Sequence, residues 1–189
     1  MTEQQTSGEP RARFEALVHA VAEPLHRFLS RRADADAVED LLSETLLVLW
    51  RRIDDLPTLA TASEVDPDAV LPWCYGVARG CLANARRADG RRRRLMQRLT
   101  LSQRPLPAAG ADHTDLHDAL GALRELDREI VLLWAWEGLA PRQIAEATGL
   151  TPNAVSIRLH RAKRRLATQL ERKNRPGTGH DSGEGRSEG

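Results

Sequence analysis

The stretch Gly138–Arg165, GLAPRQIAEATGLTPNAVSIRLHRAKRR, constrains the fold more than any other part of the chain. Pro141 suits the first turn of a helix, where its missing N–H would have no partner. Ile144 and Ala145 face inward from that helix, and Ala147 or Thr148 closes the face. Gly149 stands where the chain must reverse, and glycine reaches positive φ without a Cβ clash. Thr151 is a good N-cap and Pro152 a good first residue for the next helix. There Val155, Leu159, Ala162 and Leu166 recur at three- and four-residue steps and form one buried stripe. Asn153, Ser156, Ile157, His160, Arg161 and Arg164 are left on the other faces. This is the layout of a helix-turn-helix whose second helix fits a DNA major groove. Early positions reach base edges and later cations hold phosphates. A plain helical hairpin with a solvated basic face is the competing reading.

The formal net charge of +1 does not by itself suggest a nucleic-acid partner. The charge is segregated, however. Ten acids lie between Asp34 and Asp68 against Arg51 and Arg52, whereas eight arginines lie between Arg79 and Arg98 against Asp89. Eight Lys or Arg lie between Arg158 and Arg175 against Glu171. Such segregation implies separate surfaces for separate partners. No apolar run is long enough to span a membrane and the N-terminus is polar, so a cytoplasmic location is expected. Cys74 and Cys81 share a predicted helix, ~10 Å apart at helical rise, too far for a disulfide. No metal-ligand spacing surrounds them, so both read as small core residues and no metal or other cofactor is expected.

Hydrophobic periodicity predicts helices throughout, and no stretch alternates with period two. Residues 1–10 read as disordered and 11–32 as an amphipathic helix that Pro24 kinks or breaks. Residues 34–54 read as a second helix, 55–70 as a loop, and a third helix starts near Pro72 with Gly90 a candidate break. Residues 100–114 are rich in Pro, Ala and Gly, a flexible linker. Helices follow at 115–125, 127–137, 141–148 and 152–171, and 173–189 reads as a disordered tail. The expected fold is all-α: two small helical domains, 11–99 and 115–172, the second with the helix-turn-helix.

In that order the chain resembles bacterial RNA polymerase sigma factors of the extracytoplasmic-function type, group 4 of the sigma-70 family. Three segments carry the resemblance: DAVEDLLSETLLVLWRRIDDL, LPWCYGVARGCLANARRADGRRRR, and LRELDREIVLLWAWEGLAPRQIAEATGLTPNAVSIRLHRAKRRL. It implies a promoter-specificity subunit of core RNA polymerase, docking on the β′ clamp helices and the β flap. It also implies promoter DNA as a partner, an anti-sigma protein in many members, and no small-molecule substrate. The first segment would face the clamp, with Asp40 and Glu44 offering carboxylates and Leu41, Leu47 or Trp50 apolar anchors. A solvated acidic face is the bland alternative for Asp40 and Glu44. The second would hold melted −10 DNA. There Trp73 and Tyr75 would stack on bases, Arg79, Arg86, Arg87 and Arg91 would follow the backbone, and Asn84 would meet a base edge. On burial statistics alone Trp73 suits the core better. The loop at 55–70 would pocket a flipped base. The third would read the −35 element through Asn153, Ser156, Ile157, Arg158, His160, Arg161 and Arg164. Ser43, Gly80 and Ser156 depart from the family, where Gln, Asn and a cation are common. Ser156 makes no bidentate contact with guanine. Trp134 and Trp136 are expected between helices of the second domain.

Two other classes fit less well. A stand-alone regulator would need a sensor or dimerisation domain, and 11–99 resembles neither. An enzyme would need paired carboxylates or a metal cluster near the basic groove, or a phosphate-binding glycine loop, and the sequence assembles none of these.

Overall fold

The first helix, α1, spans Glu3–Ser30 in the computed structural model, which describes residues 3–56, 65–99 and 114–173. It begins inside the stretch expected to be disordered and runs through Pro10 and Pro24 without ending. The reason lies in packing. Leu17, Val21, Leu25 and Phe28 are completely buried. Each such burial contributes about 1.5–3 kcal/mol, which together exceeds the ~3 kcal/mol cost of a helical proline.

A 3-10 turn at Ala35–Ala37 leads into α2, Val38–Arg51, and a second such turn follows at Ile53–Asp55. Val38, Leu41, Thr45 and Leu49 line its buried side. Thr45 is tolerated there because its hydroxyl donates to the Leu41 carbonyl at 2.7 Å.

Helix α3 runs from Pro67 to Leu99, starting five residues before Pro72 and passing Gly90 unbroken. The Asp66 carboxylate caps it by accepting the Asp68 N–H at 3.0 Å, and Pro67 fits the first position. Val70, Cys74, Val77, Ala78 and Cys81 join the α1–α2 core, and the Phe28 and Tyr75 rings stack with centroids 4.9 Å apart.

The second group comprises α4 (Thr114–Gly121), α5 (Glu125–Ala135), α6 (Pro141–Thr148) and α7 (Pro152–Lys173). Ile130, Leu133, Ile144 and Val155 form its completely buried centre. The described residues contain no strand, so the chain is all-α as expected. Residues 100–113 of the expected linker, 57–64 of the expected loop and 174–189 of the expected tail lie outside the described residues, whereas Thr114 begins α4 and Lys173 ends α7.

The two helical groups do not stand apart. Helix α6 lies against α3, and Gly76 is what admits it: a Cβ there would sit 3.3 Å from the Ala147 carbonyl oxygen. Among the described residues, no helix is long and apolar enough to cross a membrane.

Candidate nucleic-acid interface

The helix-turn-helix is built from its turn outward. Gly149 takes φ 71°, in the left-handed region, and its N–H closes on the Ala145 carbonyl. Thr151 Oγ1 then accepts the Ala154 N–H at 3.2 Å and starts α7. Val155, Leu159, Ala162 and Leu166 are all buried, which fixes the rotation of α7 about its axis. That rotation leaves Asn153, Ser156, Ile157, His160, Arg161 and Arg164 exposed. Ser156 Oγ donates to the Pro152 carbonyl at 3.0 Å, so its proton is already engaged. Arg158 differs from its neighbours. Its guanidinium turns to α5 and donates to Asp127 Oδ1 at 2.8 Å, a partner that the spacing along α7 does not reveal. Beside it opens a groove between α5 and α7, bordered by Arg124, Arg161, Arg165 and Arg172. Three of those arginines were not among the expected contacts.

On α2, Asp40 and Glu44 are exposed one turn apart. Leu47 (47 % exposed) and Trp50 (39 %) stand beside them, forming an apolar patch with Phe14, whose ring meets Trp50 edge-on at 5.1 Å. Leu41 is not part of that patch. It is 5 % exposed and packs in the core, because the α2 stripe that seals against α1 and α3 runs through it.

The α3 residues divide in three. Asn84, Arg87 and Arg91 are exposed, and Arg87 donates to the Asn84 side-chain oxygen. Trp73 is half-buried, with the Arg52 guanidinium 5.6 Å from its ring centroid. Tyr75 is 4 % exposed, and its face is taken by Phe28, so it is a core residue and not a stacking platform. Burial pushes its hydroxyl up to about 12. Arg79 and Arg86 face the second helical group. Arg79 Nη1 donates to the Ala147 carbonyl at 2.7 Å, and Arg86 lies 3.7 Å from Glu125 while donating to the Arg32 carbonyl of the first group at 3.0 Å. Cys74 and Cys81 are free and buried, and burial pushes the Cys74 thiol up to about 12.

The family model "Sigma-70, region 4" matches residues 113–166. The RNA polymerase sigma-E factor of Streptomyces avermitilis is 31% identical over 168 residues, covering 84% of this chain and 85% of that protein. The chain belongs to the sigma-70 family, among sigma factors of the extracytoplasmic-function type. SigD of Mycobacterium tuberculosis, an ECF RNA polymerase sigma factor, is 33% identical over 108 residues, 53% of this chain and 50% of SigD. The chain spans half or less of the length of several of its relatives. In fold, this sigma factor is similar to RpoE of Bartonella quintana, solved in complex with the anti-sigma factor NepR. The TM-score is 0.60 at 22% identity, over 84% of this chain and 96% of that one.

Several residues of this sigma factor that sequence reasoning passed over meet between its two helical groups. Arg32 pairs with Glu137 at 2.9 Å, and both side chains are almost completely covered (3 % and 4 % exposed). Glu129 lies 3.3 Å from Arg32 and 3.6 Å from Arg79. Trp136 is 44 % exposed and faces Arg31 and Arg32 of the first group, 5.5 and 5.8 Å from its ring. Trp134 is 40 % exposed under the Lys163 ammonium. Neither tryptophan fills the interior of its own group, because Ile130, Leu133 and Ile144 already close it. Glu125 and Glu129 at i, i+4 on α5 were the visible signal of an acidic face there.

Proposed function

We propose that this protein is a dissociable promoter-specificity subunit of bacterial RNA polymerase, acting without covalent chemistry of its own. The residues divide into a −10 and core-binding domain over 11–99 and a −35 domain over 115–172. The observation that carries the reading is the two-sided character of α7: a sealed apolar stripe opposite an outward row of Asn153, Ser156, Ile157, His160, Arg161 and Arg164. A helix so oriented presents small polar groups first and cations later, which suits a major groove flanked by phosphates.

Asp40 and Glu44 would meet arginines of the β′ clamp helices, with Leu47 and Trp50 as apolar anchors. Asn84, Arg86, Arg87, Arg91 and, once freed from α6, Arg79 would hold the −10 strand, with Trp73 alone left to stack on a base. The β flap is the expected partner of the second domain. Arg158 is removed from direct base contact by Asp127 and acts by holding α7 against α5. An anti-sigma protein is a further candidate partner, since similar folds have been solved with NepR and with the cytosolic domain of CnrY.

Run-off transcription with core polymerase over a genomic promoter library tests the proposal. It predicts transcripts from a defined promoter set only when the protein is added. Footprinting of promoter DNA by the protein alone, with no comigration with core polymerase, would overturn it in favour of a stand-alone regulator.

A further inference from the structure

A cleft of about 660 Å³ opens where the end of α1, the middle of α3 and the α4–α5 hairpin meet. Its walls follow from helical spacing. Arg79, Leu82, Ala83 and Arg86 share one face of α3, and Glu125, Arg128, Glu129 and Leu132 share one face of α5, each set at i, i+3, i+4 and i+7. Arg31 and Arg32 reach the cleft from the end of α1. It therefore carries five guanidiniums, those of Arg31, Arg32, Arg79, Arg86 and Arg128, against the carboxylates of Glu125 and Glu129. Glu137, paired with Arg31 and Arg32, is a third carboxylate, and two positive charges remain in excess when all three are counted. Like charges gathered in a cleft with low-dielectric walls draw in anions.

The ion pairing is uneven. Arg32 Nη1 meets Glu137 at 2.9 Å, and both side chains are almost fully covered, so that pair is saturated. The other approaches are looser: Arg79 Nε lies 3.6 Å from Glu129 and Arg86 Nη1 lies 3.7 Å from Glu125, both beyond hydrogen-bond range. Arg128 is half-buried, and its guanidinium has no hydrogen-bond or ion-pair partner among the described residues. These N–H groups are free to meet an anion's oxygens. Much of the remaining lining is apolar. Leu120, Leu126 and Leu132 contribute to it, and the Trp136 ring stands 44 % exposed beside them.

We infer that this cleft is a binding site for a small phosphorylated molecule with a flat ring system, of which a nucleoside diphosphate is a simple case. Phosphate oxygens meet the Arg86 and Arg128 guanidiniums, whose planar forks suit bidentate contact. The ring lies on Trp136 and the leucines, which offer apolar area and an aromatic face. The volume falls within the ~300–1,000 Å³ of small-molecule sites. Arg31, Arg128 and Trp136 have no part in the promoter and polymerase contacts proposed above, so the site does not rest on that reading.

Isothermal titration of the full chain with ADP tests the site, at ~0.15 M salt so that distant surface charges are screened. One saturable site per chain is expected. Pyrophosphate and adenosine, which each offer half of the chemistry, should bind about tenfold or more weakly than ADP. Arg128→Glu should weaken ADP binding about tenfold, the size of one lost charge-assisted hydrogen bond. Gly121→Leu adds bulk at the cleft wall, where a Cβ meets no atom within 4 Å, and should weaken ADP binding with no change of charge. Arg165→Glu makes the same charge change as Arg128→Glu but in the α5–α7 groove, and should leave ADP binding unaltered. Circular dichroism checks that each variant folds, and Arg128→Glu, which breaks no ion pair, carries the test if Gly121→Leu does not. Absence of saturable ADP binding overturns the site. So does an equal loss from Arg165→Glu and Arg128→Glu, since ADP would then follow net charge alone. Pyrophosphate binding as tightly as ADP overturns the role of the ring, and adenosine binding as tightly overturns the role of the arginines. Run-off transcription reads the promoter function separately, so a failure of either experiment leaves the other reading standing.

Discussion

Arg158 and Arg161 are three residues apart on α7, yet their surroundings give them different work. Arg161 is exposed beside the groove, whereas Arg158 is bound to a mostly covered Asp127. Arg161→Ala should weaken duplex binding and reduce the salt slope of log K by about 1, the signature of one lost phosphate contact. Arg158→Ala should instead lower the melting temperature, by about 1 kcal/mol of stability after allowance for its partial exposure. Salt titrations of binding and thermal melts separate the two, and an unchanged slope for Arg161→Ala removes its phosphate role. Cys74 makes a second residue-scale case. Its thiol is held up at about 12, from 9.0, first by burial. The unfolded chain therefore releases a proton that the folded chain keeps. Stability from this group is complete below pH 9.0 and is lost as pH rises from there towards 12. Melting temperature should fall above pH ~9 less steeply in Cys74→Ala than in wild type. Identical alkaline slopes would sink this account.

Helix α7 was legible in the sequence because everything that orients it is local. The turn glycine, the N-cap threonine and a stripe at steps of three and four lie within one short segment. Gly149→Ala should cost about 1–2 kcal/mol, since φ 71° places a Cβ against the backbone. Chemical denaturation measures that loss, and an unchanged midpoint would mean the turn relaxes. The elements that the sequence misplaced are those whose partners are distant. Tyr75 stands two residues from Trp73 on an arginine-rich helix, and its contact with Phe28 on α1 turns it inward. Leu41 sits among acids on α2 and reads as surface or core until α1 and α3 are packed around it. Pro24 announces a break that helix packing overrides. Arg79 carries no local sign of its acceptor, because the Ala147 carbonyl is 68 residues away.

At the scale of the molecule, the acidic patch of α2 and the seam between α3 and α6 lie on different elements. Asp40, Glu44, Leu47 and Trp50 are open to solvent while the helix-turn-helix unit is docked, and the seam draws on Arg32, Gly76 and Arg79 instead. Polymerase capture through α2 should therefore be available while α6 lies against α3. Reversing both charges, Asp40→Arg with Glu44→Arg, should lower core-polymerase pull-down by about tenfold, since like charges would face the clamp arginines. If the two surfaces are independent, the same fold loss should appear in the Gly76→Leu background, because effects at separated sites add to within about 0.5 kcal/mol. A loss that shrinks or disappears in that background would show that α2 and the α3–α6 contact are coupled. No loss in either background would remove Asp40 and Glu44 from the polymerase interface.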